Sequence, residues 1–178
     1  MRSFLALDLP NTTREALREL AREKIPGAKW VPEGQCHLTL RFLGELGEAE
    51  VAALRAQLEQ VRGATFSLTP HGVGVFPDAR RPRVLWVGLA APPELFTLQG
   101  SLEAAVRELG LPPEDKSFHP HLTLARLKFP ATREIEAFLG RHRDLSLAPF
   151  EVREFHLYSS RLSPKGAEHR KEATYPLR

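Results

Sequence analysis

Cysteine is almost missing from this chain of 178 residues, since Cys36 is its only one. A single thiol excludes an intramolecular disulfide and a thiolate zinc cluster, and it suits a reducing cytoplasm. Cys36 neighbours His37, but free cysteine usually packs as a small hydrophobe and is read that way here. Long apolar runs are missing too: none reaches the roughly 20 residues that a membrane-spanning helix needs. The opening Met1-Arg2-Ser3-Phe4-Leu5-Ala6-Leu7-Asp8 meets an acidic residue before a secretory core is long enough, so a cytoplasmic protein is expected. No Gly-x-x-x-x-Gly-Lys-Ser/Thr loop is present, which speaks against an ATP-driven enzyme. There is no low-complexity block and no long run of one charge sign. The net charge of +3 permits phosphate-bearing partners without the dense basic tracts of a sequence-reading DNA protein.

What the chain does contain is a repeat. His37-Leu38-Thr39-Leu40 recurs as His121-Leu122-Thr123-Leu124, 84 residues later. In a strand, successive side chains alternate between faces, so each copy sets an imidazole beside a hydroxyl while its leucines point into a core. The surroundings repeat as well. Ser3 to Leu9 reads as a strand, Thr12 with Glu15 as a capping box, and Leu17, Leu20 and Ala21 as a helical stripe that stops at Pro26-Gly27. Next come the first motif strand, Cys36 to Leu43, and a helix marked by Val51, Leu54, Leu58 and Val61. Strands follow at 64–68 and 72–76, then a basic connection at 77–83.

The order then starts again. It runs through a strand at 84–89, a helix from Pro92-Pro93 to Leu109, the second motif strand from Phe118 to Leu127, a helix from Thr132 to Gly140, and strands at 145–147 and 151–159. Ser67-Leu68-Thr69-Pro70 matches Ser146-Leu147-Ala148-Pro149. Residues 2–77 and 83–160 therefore read as one duplicated unit followed by a C-terminal tail, within a single domain of 1–178. The clustering of adjacent strands and the alternation in the motifs favour an α+β fold, with antiparallel sheets, helices outside, pseudo-twofold symmetry and a central cleft. That symmetry would carry both His-x-Thr pairs to one cleft.

Two imidazoles and two hydroxyls around one hollow make a site for an anion that gives and takes a proton. Histidine titrates near ~6.5 and can serve as general acid or general base, each role typically contributing about 10² to 10⁴ in rate. Hydroxyls can bond the nonbridging oxygens where charge accumulates. Arg41 shares strand parity with His37 and Thr39. By strict parity Arg126 falls with Leu122 and Leu124, opposite His121, unless a strand end or a bulge brings it round. His119, two residues before His121, flanks the motif. His71, His142, His156 and His169 show no partner pattern, and Phe4, Trp30 and Phe42 read as core.

On its two motif blocks, His37-Leu38-Thr39-Leu40-Arg41-Phe42-Leu43-Gly44-Glu45 and Pro120-His121-Leu122-Thr123-Leu124-Ala125-Arg126, the chain resembles the two-histidine phosphoesterases. Its opening residues and the stretch Leu157 to Gly166 support the resemblance. Within that superfamily it is similar to the bacterial and archaeal RNA 2′,3′-cyclic phosphodiesterases, long called 2′-5′ RNA ligases. The resemblance implies a bilobal fold with the cleft between lobes, and chemistry without metal or ATP. It implies His37 as proton donor, His121 as proton acceptor, and Thr39 and Thr123 as phosphate holders, and Arg126 fits its pattern as a phosphate contact; Arg41, by its parity, and His119, by its place beside His121, are further candidate phosphate contacts. The expected partners are RNA ends or small nucleotides that carry a 2′,3′-cyclic phosphate, met by a monomer that needs no cofactor and no membrane. Other small cyclic or 2′-5′-linked nucleotides remain open as substrates. Two rival readings are a zinc hydrolase using His37, His119 and His121, and a module that grips RNA ends without turning them over.

Overall fold

The computed structural model describes the backbone of residues 1–178 and every side chain except that of Glu33. Apolar runs bounded by proline and glycine form the strands. The first half contains β1 (Arg2–Leu7), α1 (Asn11–Leu20), β2 (Ala28–Trp30), β3 (Leu38–Glu45), α2 (Glu48–Glu59) and β4 (Phe66–Phe76). The second half contains β5 (Val84–Ala90), α3 (Pro93–Glu108), β6 (His121–Leu127), α4 (Thr132–Arg141), β7 (Phe150–Val152), β8 (Glu154–Ser163) and β9 (Gly166–Pro176). All strand pairs are antiparallel. They build a first sheet ordered β3-β1-β8-β9 and a second ordered β2-β6-β5-β4-β7, an α+β architecture as the motif alternation led us to expect.

The sheets and the sequence repeats are not the same units. The first sheet takes β1 and β3 from the first repeat but β8 from the second, and the second sheet takes β5 and β6 from the second repeat but β4 from the first. Where the two halves cross, β4 pairs with β7 around Ser67 and Glu151. Those two residues are 84 apart, the same offset as the two motif histidines, so the pseudo-twofold axis passes between them. The Ser-Leu-x-Pro match is therefore not the structural equivalence. Ser146 instead bridges His71 on the neighbouring strand.

Local signals explain most element ends. α3 starts after Pro92 with Pro93 in its first turn, where a missing N–H costs nothing. It buries the expected stripe of Leu95, Leu98, Leu102 and Val106. At the start of α2 the Gly47 N–H donates to Glu50 Oε2 at 2.8 Å, reaching one turn back. The capping box read at Thr12 and Glu15 does not form: Pro10 is the N-cap of α1, no side chain caps it, and Thr13 is buried. The strands expected at 64–68 and 72–76 are one strand with a register shift after Pro70, where Gly72 takes φ 69°. The tail is a strand as well, since β9 forms a long hairpin with β8.

One face of each sheet packs under the helices. Leu5, Leu7, Leu38 and Leu40 of the first sheet and Leu85, Val87, Leu122 and Leu124 of the second belong to one continuous core with Leu54, Leu98, Ile135 and Phe138. Each such side chain contributes about 1.5–3 kcal/mol by leaving water. The motif leucines are thus the anchors that hold the alternate residues, histidine and threonine, on the other face. Phe4, Ala6 and Tyr158 form a separate small cluster on that face.

Candidate active site

The two motifs meet where the segment before His37 approaches β6. Cys36 Sγ lies 3.9 Å from the Thr123 carbonyl, and the Val31 N–H donates to the Leu124 carbonyl at 2.8 Å. A cavity of about 70 Å³ behind the contact is lined by Cys36, Thr123 and Leu124 together with α1 and Trp30. Cys36 is buried and free, and burial pushes its thiol up to about 11, so it packs rather than reacts.

Each motif strand contains an irregularity at the same place. Thr39 pairs with Ala6 and Arg41 with Leu5, so Leu40 is an extra residue opposite β1; Thr123 pairs with Trp86 and Ala125 with Leu85, so Leu124 is extra opposite β5. One inserted residue reverses the alternation beyond it. Arg41 is thereby turned away from His37 and Thr39, contrary to its sequence parity. It is 5% exposed, and its Nε donates to Glu103 Oε2 of α3 at 2.6 Å. Its guanidinium also donates to the Pro112 carbonyl and lies 3.8 Å from Glu114. Arg126 is turned the other way: it shares the His121 and Thr123 face and is exposed. At the position equivalent to Arg126 the first sheet presents Phe42, which is 58% exposed and 6.1 Å from the Phe4 ring rather than in the core.

His37 sits among side chains that sequence spacing did not connect. Its ring centroid is 4.4 Å from that of Tyr158, 5.5 Å from His169 and 6.2 Å from Phe4. Its Nε2 is 3.9 Å from Asp8 Oδ1. Asp8 accepts hydrogen bonds from the Tyr158 hydroxyl and, at 2.6 Å, from Lys171 Nζ, and its Oδ2 lies 3.3 Å from His156 Nε2. His156, read from sequence as a bystander, is 1% exposed and meets Thr174 Oγ1 through Nδ1 at 2.9 Å. Burial lowers the pKa of His37 to about 4, with the Asp8 charge pulling the other way and His169 and Arg14 adding to the depression. Burial also pushes the Asp8 carboxyl upward, but the bonds from Lys171 and Tyr158 outweigh it and hold Asp8 below the ordinary aspartate value.

His121 has a different setting. Its Nδ1 is 2.7 Å from the His119 carbonyl. A carbonyl can only accept, so this nitrogen carries the proton and Nε2 keeps its lone pair when the ring is neutral. Phe76 lies edge-on to His121 at 4.9 Å and to His119 at 5.2 Å, and Trp86 lies 5.3 Å from His119. Burial lowers the His121 pKa, partly offset by the His119 carbonyl. His119 is exposed. His37, His119 and His121 do not form a metal-binding set, and no other group of three such side chains does so among the described residues. No helix among them is long and apolar enough to cross a membrane.

Residues 9–163 match the model of the 2′-5′ RNA ligase superfamily. An Archaeoglobus fulgidus protein named RNA 2′,3′-cyclic phosphodiesterase is 36% identical over 168 residues, covering 93% of this chain and 94% of its own. A Thermotoga maritima protein of the same name is 34% identical, covering 93% and 90%. Among solved structures, a Thermus thermophilus protein superposes with a TM-score of 0.84 at 34% identity, covering 100% of this chain and 98% of that one. Escherichia coli LigT in complex with 3′-AMP superposes with a TM-score of 0.80 at 26% identity, covering 99% and 97%. Motifs, fold and relatives agree that this chain belongs to the 2′-5′ RNA ligase superfamily of two-histidine phosphoesterases.

Proposed function

We propose that this protein hydrolyses 2′,3′-cyclic phosphodiester ends of RNA to 2′-phosphomonoesters by acid–base catalysis between His37 and His121. The observation that carries the reading is the anion beside one of two otherwise similarly placed imidazoles, since the Gln35 carbonyl acts on His37 as the His119 carbonyl acts on His121. The His119 carbonyl leaves Nε2 of His121 as a proton acceptor, while Nε2 of His37 faces the Asp8 carboxylate, which favours the protonated ring. Water attacks phosphorus as His121 takes its proton, the bond from phosphorus to the 3′ oxygen breaks, and His37 protonates the departing oxygen. Thr39, Thr123 and Arg126 hold the nonbridging oxygens as charge builds on them. His119 contributes its carbonyl to His121 and is itself exposed. Arg41 acts from behind the sheet by tying β3 to α3.

Burial favours the neutral form of His37 at pH 7. A bound phosphodiester anion supplies the opposite charge that favours protonation, so the acid is armed by its substrate. Run backwards with a 5′-hydroxyl in place of water, the same groups join RNA ends through a 2′-5′ bond. The relatives' name, RNA 2′,3′-cyclic phosphodiesterase, supports the substrate class. A second reading, action on a small cyclic or 2′-5′-linked nucleotide, draws support from the LigT complex with 3′-AMP. We infer a monomer working in the cytoplasm without a cofactor. Incubating RNA bearing a 2′,3′-cyclic phosphate terminus with the protein in EDTA tests the reaction. The expected product is a 2′-phosphate, whereas a 3′-phosphate or loss of activity on chelation contradicts the mechanism.

A further inference from the structure

We propose that Asp8 is a positioning residue that raises the proton affinity of His37 against its burial, with Lys171 setting how much of the Asp8 charge the imidazole feels. The proposal deepens the reading of His37 as proton donor and rests on it. Asp8 follows the last residue of β1, where the antiparallel pairing of Leu7 with Leu38 brings it beside His37. Its Oδ1 is 3.9 Å from Nε2 of His37, too far for a hydrogen bond but close enough that opposite charges interact strongly. The carboxylate cannot swing freely, because Tyr158 and Lys171 both donate to it. The groups facing His37 come from every neighbouring element: Asp8 beyond β1, Arg14 on α1, Tyr158 on β8, and His169 on β9. Asp8 is the one anion among them. His156 and Lys171 face the carboxylate itself.

The second sheet supplies the control within the molecule. Val87 pairs with Leu122 as Leu7 pairs with Leu38, so Gly88 occupies the place of Asp8 and pairs with His121. A Cβ at Gly88 would stand 2.7 Å from the His71 carbonyl oxygen, closer than real Cβ contacts allow. No side chain fits there without backbone movement, so a carboxylate beside the motif histidine is a property of the first sheet alone. The structure thus places an anion beside one of two equivalent histidines where the other has bare backbone.

The test is an NMR titration of the His37 and His121 rings in the full-length free protein, comparing wild type, Asp8→Asn and Lys171→Met. Loss of the Asp8 charge is expected to lower the His37 midpoint by at least about half a pH unit. Loss of Lys171, which leaves that charge less neutralised, is expected to raise it. His121 is expected to hold its midpoint in both. A His37 midpoint that stays fixed in both variants, or moves in the same direction in both, overturns the proposal. Lys171 is exposed, so its variant decides the matter even where Asp8→Asn fails to fold. Because the titration needs no substrate, inactivity of the wild type on cyclic phosphate ends would strike the substrate reading and leave the Asp8 proposal to the NMR result.

Discussion

The two sheets carry the same motif on the same irregular strand, yet nearly every side chain around the histidine differs between them. Asp8 stands where the second sheet has Gly88, and Tyr158 stands where it has Phe76. Ala6 and His156 pair where Trp86 and Gly74 pair, so a small residue beside a histidine on one side becomes an indole over a glycine on the other. The exchange is volume for volume: a Cβ on Gly74 would come within 2.3 Å of Trp86. Phe42 stands where the second sheet has Arg126. The first sheet therefore surrounds its histidine with a charged, hydrogen-bonded network, and the second with aromatic edges and one exposed cation. The two equivalent imidazoles therefore differ in their neighbours, and on the proposed mechanism that difference separates an acid from a base.

The strongest way to break this comparison is to remove either imidazole. His37→Ala and His121→Ala are each expected to lower kcat/KM on cyclic phosphate ends by about 10² to 10⁴ with folding retained. Steady-state kinetics together with thermal melting checks this, and retained turnover in either variant would end the two-histidine account.

The inverted alternation makes a second contrast. Arg41→Ala is expected to destabilise the protein by about 3 kcal/mol, because Glu103 loses its close partner and keeps only Arg107 at 3.9 Å. Kinetic constants measured below its lowered Tm should be close to wild type. Arg126→Ala is expected to leave the Tm alone and to cost about 10- to 100-fold in kcat/KM through lost charge-assisted bonds to phosphate. The opposite pattern would mean that the arginines face the way simple strand parity placed them.

Acid stability sharpens the difference in burial. His37 is held at about 4 in the folded state, below its unfolded value near ~6.5, so between those limits the unfolded chain binds the extra proton. Its contribution is complete above pH 6.5 and is lost as pH falls towards 4, amounting to roughly 3 kcal/mol. Denaturant unfolding across that window should show the loss, and His37→Gln should flatten it. The smallest expected effect is Gly74→Ala, whose Cβ overlaps Trp86 and should cost about 1–3 kcal/mol in the second sheet. The His37 titration should be untouched by it.

Much of this was legible in sequence because strand alternation is a local rule. The repeat of His-Leu-Thr-Leu fixed which residues point outward, and the leucines between them are indeed buried. The orientation of Arg41 was not legible, and that of Arg126 only as a bulge left open, because the inserted Leu40 and Leu124 are ordinary core leucines with no local mark of a bulge. Asp8, Tyr158 and Lys171 were missed for another reason. They meet across sequence separations of 150 and 163 residues, each as a single polar side chain with no motif of its own. The twofold itself was only partly legible: similarity between short Ser-Leu-x-Pro segments pointed to the wrong equivalence, while the pairing of Ser67 with Glu151 gives the true one.

The central claim is that His37 and His121 serve one phosphoryl group in opposite protonation states. Its most direct test is to follow both imidazoles by NMR while a 2′-phosphorylated nucleotide, the expected product, is added at constant pH. The account predicts that both rings respond together, saturate at one nucleotide per chain, and show His37 gaining a proton while His121 keeps its Nδ1–H bonded to the His119 carbonyl. A nucleotide that perturbs one ring and leaves the other unchanged at saturation would contradict it.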